Sequence, residues 1–406
     1  MIPRKKLDID WTDLAFALFR SLPGGARRSA ERLEASWSPG GMALATASVR
    51  SGFDLVLQQL ALPAGSEVLV SAVTIRDMVA IIERHGLRPV PVDIDPSTCA
   101  PDIDALEAAI TPNSRVLLVA HLFGARVPME GIAATAKRCG LFLFEDCAQA
   151  FSADGYRGNP LSDVTMFSFG PIKTATSLGG GILLFRDRAR CADARQRQTA
   201  YPRQGRVWYV RRLLKYALIK AMIYRFPYTM FTHLCGRLGK SHDRVLSASV
   251  RSFVDGDLLP QLRRQPAHAL LALMDRRLRL YDASKLFRRI EAAVAASNSL
   301  GAGSIPGILA QPHCHWVLPF QCPDPDALMA HLFRHGFDAT RGAASLYAVQ
   351  DAMGNAPTAA ERMMAEMVYL PAETASPAEL GVLLRALHTF TREMDLARSV
   401  GSSGAP

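Results

Sequence analysis

A chain of 406 residues, 49% hydrophobic and 21% charged, can bury a large core and is long enough for about two domains, so a soluble globular protein is expected. Its seven cysteines are odd in number and scattered without a C-x-x-C pair, which argues for free thiols in a reducing, cytoplasmic compartment and against a disulfide framework. The formal charge of +10 sits in residues 186–225, where twelve Arg or Lys face only Asp187 and Asp193. An anionic partner is expected there, and no nucleic-acid motif accompanies the charge.

Residues 1–44 read as a lead-in. Its basic start is interrupted by Asp8, Asp10 and Asp13 and never becomes an apolar signal core, while Trp11 and Trp37 are candidates to pack on a neighbour. No uncharged run elsewhere is long enough to span a bilayer. From residue 45 the pattern alternates: a helix from Ser51-Gly52 to residue 62, a strand over 68–73, a helix over 77–85 and a strand over 89–94. Asp102 can cap a helix to residue 110, followed by a strand over 116–122 and a helix over 129–138. Strands alternating with helices imply a mainly parallel, doubly wound α/β sheet.

The run at 141–144 is wholly apolar, as expected for a strand buried on both faces, and it places Asp146 at a strand's carboxyl end, where open sheets of this kind bind ligands. A further short strand over 165–169 leads to Lys173 in a loop that ends in Gly179-Gly180-Gly181. Acid and lysine therefore converge on one crevice.

Here the sequence resembles the DegT/DnrJ/EryC1/StrS family of pyridoxal-phosphate-dependent sugar aminotransferases. The matching residues are Glu145-Asp146-Cys147-Ala148-Gln149-Ala150, Phe167-Ser168-Phe169, Lys173 and the glycine run, with shorter matches at 65–68, 91–95 and 120–124. The resemblance implies the type I fold of such transferases, with a large domain over 45–255 and a smaller C-terminal α+β domain over 256–398. It also implies a homodimer, with pyridoxal 5'-phosphate held through Lys173 as Schiff base. Asp146 would partner the pyridine nitrogen, Gln149 bond at the ring side and Ser168 bind the phosphate. Ser51 and Gly52 would open a phosphate-binding helix, and His121 would reach substrate or bond to backbone in the core. An amino acid donor and a keto acceptor follow from that activity, with a nucleotide-linked sugar as the leading acceptor.

Three departures stand against the resemblance. Phe53-Asp54 replaces the usual hydroxyl residue, leaving Phe53 beside the expected cofactor phosphate and Asp54 as a negative charge near it; Ile75 stands where an aromatic normally covers the ring and would cover it by apolar contact; and no Asn is found near 263–266 to reach the partner's phosphate. They motivate an alternative, a cofactor-binding regulator or scaffold without turnover.

Residues 203–254 read as a basic, apolar-rich insertion. At helical spacing Arg211, Arg212 and Lys215 share one face of 206–225, with Val207, Trp208, Leu214, Leu218 and Met222 largely elsewhere. Such a helix suits a solvated face, an anionic membrane surface, or a lipid-linked or long-chain keto substrate. A long helix is expected from about 263 to 296, and His313 and His315 would share one side of a strand, without a third ligand to make a metal site. A strand over 316–320, a helix from Asp324-Pro325 to Gly336 and a capped helix from Ser376 toward Met394 complete the small domain. Residues 399–406 read as a disordered tail.

Overall fold

The computed structural model describes residues 1–22, 29–243, 245–246, 257–342 and 345–402. A seven-stranded sheet organises the large domain: β1 (Ala43–Thr46), β2 (Glu67–Ser71), β4 (Arg88–Val92), β5 (Ser114–Ala120), β6 (Phe142–Asp146), β7 (Val164–Ser168) and β8 (Gly181–Phe185), in the order β1-β8-β7-β6-β5-β2-β4. The five strands from β7 to β4 run parallel, whereas β8 pairs antiparallel with both β7 and β1. Strands such as β2 and β6 are buried almost throughout because helices cover both faces.

One cluster packs α3 (Val49–Leu60) and α4 (Arg76–Arg84) on the sheet through Val56, Ile81, Val116 and Phe144. Leu117, Val119 and Leu143 face α5 (Ile103–Ala109) and α6 (Glu130–Arg138) on the other side. Trp37, at the end of α2 (Ser29–Trp37), is buried against Phe167 and Phe169. Around the sheet lie α7 (Arg188–Thr199), α10 (Leu258–Leu262) and α11 (His268–Arg279).

The smaller unit pairs β9 (Leu318–Gln321) with β11 (Met367–Leu370) and covers them with α12 (Ser284–Leu300), α13 (Pro325–Arg334) and α15 (Pro377–Ser402), around Leu328, Val368 and Leu387. Beside it, α14 (Thr358–Ala365) follows β10 (Leu346–Ala348), which pairs with β3 (Val73–Ile75) of the large domain.

Several elements differ from the sequence expectation. The strand read over 68–73 is two strands, because the chain leaves the main sheet after Ser71 to pair with β10. The helix read over 263–296 breaks at Leu280–Ala283 into α11 and α12. His313 and His315 do not lie on a strand: His315 has φ +45°, and the two rings stack 3.7 Å apart. The last helix runs past Met394 to Ser402, and residues 403–406 lie outside the described residues.

Two segments tie the domains together across a cleft. Ile2 bridges to Phe337 and Arg4 pairs with Asp338 in the small domain; five residues on, Leu7 and Ile9 enter the large-domain core, and the Ala175 amide donates to Asp8 at 2.7 Å. The basic insertion does the same. Its first helix α8 (Arg206–Met222) buries Tyr209, Leu213 and Tyr216 on the large domain, and the Tyr209 hydroxyl donates to the Ser177 carbonyl at 3.1 Å. Its second, α9 (Arg225–Arg237), buries Tyr228, whose hydroxyl donates to Asp338, and salt-bridges Arg225 to Glu379 at 2.6 Å. The remainder of the insertion, apart from 238–243 and 245–246, lies outside the described residues.

Candidate active site

A cavity of about 1320 Å³ opens between the two domains, at the carboxyl ends of β5, β6 and β7. Topology puts it there, since the parallel strands end together and the loops that follow them carry the polar side chains. Asp146 ends β6, opposite Ala120 and Met166. Its Oδ1 accepts from the Ala148 amide at 2.9 Å, and burial raises its carboxyl above the ordinary carboxylate range against the opposing pull of that amide and of Lys173.

Lys173 enters from the loop after β7. That loop is held by the Ser177 and Gly179 amides on the Phe169 carbonyl, both at 3.1 Å, and by the Gly180 amide on Ala47 at 2.9 Å. Gly180 has φ +85°, and a Cβ there would lie 2.2 Å from Met274 Sδ. At Gly181 a Cβ would lie 2.8 Å from the Val49 amide nitrogen. The glycine run thus lets β8 press against the start of α3. Lys173 Nζ lies 3.9 Å from the Trp316 ring centroid, and Trp316 is fixed by its indole N–H donating to the Ile172 carbonyl at 2.8 Å. Burial pulls the ammonium down to about 7, with Asp146 opposing that shift.

The N-terminus of α3 closes another side. Its cap is Ser48, whose hydroxyl accepts from the Ser51 amide and meets the Ser51 hydroxyl at 2.9 Å. The helix therefore starts at Val49, two residues before the expected position. This corrects the reading of Gly52 and Phe53 as cofactor ligands. The Gly52 amide already donates to Ser48 at 3.1 Å, and its missing side chain makes room for Leu183, 2.3 Å from where a Cβ would stand. Phe53 is fully buried in the sheet-facing core, edge-on to Phe144 with centroids 5.1 Å apart. Asp54 points away from the cavity as well, bonded to His85 at 2.9 Å and to Arg263 at 3.1 Å, so it sets no negative charge at the helix start. Ser48, Val49, Arg50 and Ser51 line the cavity instead.

Sequence reasoning missed Arg50, although it precedes Ser51 and lines this end. Burial and the like charge of Arg212 pull its guanidinium below its ordinary value despite an ion pair with Asp77. Lys5 of the lead-in was missed as well. Its Nζ lies 4.1 Å from the same Trp316 centroid and donates to the Trp316 carbonyl at 2.9 Å, and burial pulls it down to about 7. Its only sequence signal was a basic N-terminus.

The remaining candidates divide. Ser168, Gln149 and Ile75 line the cavity, with Gln149 Oε1 accepting from the Phe123 amide at 2.8 Å and Ile75 paired to Leu346. Of the three cations grouped on α8, Arg212 turns to the cavity, where its Nε donates to the Leu178 carbonyl, while Arg211 and Lys215 are exposed. His121 is not available to bind an anion. Its Nδ1 accepts from the Val127 amide at 3.0 Å, which leaves Nε2 to donate to Glu145 at 2.9 Å.

Glu145 is the hub behind Asp146. Burial pushes its carboxyl up, but bonds from His121, Tyr156, the Asn159 amide and Ser162 outweigh that and hold it down at about 2. Cys147 lies close enough to share an ion with His121 and Glu145, yet the Glu145 oxygens are already engaged by protein donors. Replacing Glu145 by Ala strands those buried donors. A loss of about 3–5 kcal/mol of stability is expected, read as a lower urea midpoint at pH 7.

Residues 25–209 match the family model described as the DegT/DnrJ/EryC1/StrS aminotransferase family. Over this stretch, a little under half of the chain, the sequence is similar to that family. Curated relatives include a pleiotropic regulatory protein of Geobacillus stearothermophilus, 39% identical over 137 residues, which cover 33% of this chain and 37% of the relative. Another is the dTDP-3-amino-3,4,6-trideoxy-alpha-D-glucose transaminase of Micromonospora megalomicea subsp. nigra, 35% identical over 160 residues, 39% of this chain and 42% of the relative. These matches span about two fifths of the relatives' own length. The aminotransferase TlmJ from Streptoalloteichus hindustanus shares the fold over 97% of this chain and 100% of its own, with TM-score 0.70 at 19% identity. The α/β transferase fold thus extends over the whole DegT/DnrJ/EryC1/StrS-like chain, while sequence likeness concentrates in the large domain.

Proposed function

We propose that this chain is a pyridoxal-phosphate-dependent aminotransferase that moves an amino group from an amino acid to a keto group on a nucleotide-linked sugar. The observation that carries this reading is the pair formed by Lys173 and Asp146: a buried amine brought down to about 7, beside a buried carboxyl in one cavity. A neutral amine is the nucleophile that an aldehyde requires, and the same Nζ can hold and return a proton near neutral pH. The residues fit the cofactor. Asp146 would hold a proton on a ring nitrogen, Gln149 would bond at the ring side, and Ile75 would cover the ring by apolar contact. Ser168, the α3 start with Ser51, and Arg50 would take the phosphate. When bound, pyridoxal phosphate supplies the electron sink and carries nitrogen between donor and acceptor.

The protein is proposed to act as a homodimer in the cytoplasm. Its described cysteines are all free, and no helix among the described residues is long and apolar enough to cross a membrane. One observation favours a second acceptor, lipid-linked or long-chain: Trp208 and Ile219 of α8, with Ile223 just after it, line the cavity. Turnover assays with glutamate or glutamine and a panel of keto acceptors test the activity. Amination of a nucleotide-linked keto sugar is expected. Cofactor binding without turnover of any acceptor would favour a regulator instead.

A further inference from the structure

The helices that bridge the domains leave a second feature that the proposed reaction does not use. Residues 206–240 contain eight Arg or Lys and no Asp or Glu. Both helices bury a narrow stripe and leave large apolar side chains in water: Val207, Leu214 and Leu218 on α8, and Phe226, Met230 and Leu234 on α9, each more than half exposed. On α8 this corrects the expected separation of charge from apolar surface. The buried side is Tyr209, Leu213 and Tyr216, so Arg211 and Lys215 share the exposed side with Leu214 and Leu218. The feature also continues onto α1 (Trp11–Arg20), where the indole N–H of Trp11 donates to the Tyr224 hydroxyl at 3.0 Å and Lys220 sits over the Trp11 ring. Cations interleaved with exposed Leu, Phe and Trp suit one environment, the headgroup boundary of an anionic bilayer: there the apolar side chains leave water while the long basic ones stay at the phosphates.

We propose that the α8–α9 face docks this enzyme on an anionic membrane surface. Charge decides against a second copy of the chain as the occupant. A two-fold contact centred on this face would set Arg211, Lys215 and Arg237 against their own counterparts, with no acid in 206–240 to pair them. An anionic bilayer supplies that missing charge over an area of any size. The proposal is independent of the acceptor's identity, because α8 meets the cavity through Trp208 and Arg212, whereas Arg211, Leu214, Lys215 and Leu218 are exposed and do not line it.

Co-sedimentation of the full chain with vesicles tests it. Binding is expected to vesicles of phosphatidylcholine mixed with phosphatidylglycerol, and not to phosphatidylcholine alone. At about fivefold per charge, roughly 1 kcal/mol each, Arg211→Ala/Lys215→Ala should lower partitioning about 25-fold. Leu214→Ser/Leu218→Ser should lower it by more than about tenfold. Both pairs are exposed and outside the cavity, so pyridoxal phosphate uptake should be unchanged and serves as the check on folding. Absence of binding to the anionic vesicles, or binding that neither variant weakens, would overturn the proposal. So would a concentration-dependent mass that the leucine variant lowers without any vesicle binding, which would assign the face to a second copy.

Discussion

Lys173→Ala is expected to lower turnover by at least about 10⁴-fold, because one substitution removes both the nucleophile and the group that carries the proton. Phosphate contacts at the α3 start remain, so the variant should still bind pyridoxal phosphate, but borohydride should no longer fix the cofactor covalently to the chain as it does in the wild type. Its pH behaviour makes the test specific. Only the neutral amine attacks an aldehyde, and with Lys173 brought from 10.5 to about 7 the neutral fraction grows through neutral pH. Cofactor uptake by the cofactor-free wild type should therefore speed up as pH rises through about 7 and level off above it. A midpoint near that of an ordinary lysine would mean that the amine is not buried as described. No such covalent fixation, in wild type supplied with cofactor, would remove the aminotransferase reading.

That wild-type experiment also separates the site from Lys5. This second buried amine lies over the same indole and has a similar shift, but it hangs from the lead-in strap and its Nζ is engaged with the Trp316 carbonyl. If Lys5 were the linking group, borohydride would still fix the cofactor covalently to the chain in Lys173→Ala.

That Lys173 and Asp146 line one cavity was legible because the topology fixes their placement locally. Asp146 ends one short strand and Lys173 follows another, and strand ends in a parallel sheet face the cleft whatever the distant sequence does. The residues that sequence reading placed wrongly are those whose role depends on helix phase or distant contacts. A two-residue difference in the start of α3 turns Phe53 from a phosphate neighbour into a core side chain against Phe144, and sends Asp54 to His85 and Arg263. Arg263 is 209 positions away in sequence, so no local pattern could have shown that Asp54 is neutralised. The α8 helix makes the same point: its cations looked equivalent at helical spacing, yet Arg212 alone turns to the Leu178 carbonyl.

Asp146→Asn should separate charge from shape. The amide keeps the size of the side chain and an oxygen to accept from Ala148, but it removes the negative charge from the end of β6. Turnover is expected to fall by about 10²–10³, the effect of losing one preorganised electrostatic contact with a group that becomes charged during reaction. A second consequence follows from the coupling of the two residues. The Asp146 carboxylate raises Lys173 against the larger opposing effect of burial, so removing it should lower the amine's pKa below that of the wild type. The midpoint for cofactor uptake must then move to lower pH while activity falls, so the variant should take up cofactor faster than wild type on the acid side and turn over more slowly. General damage to the site would slow both. If instead the midpoint stays in place while turnover falls, Asp146 acts without a field at Lys173, and the pairing on which the proposed function rests would have to be abandoned.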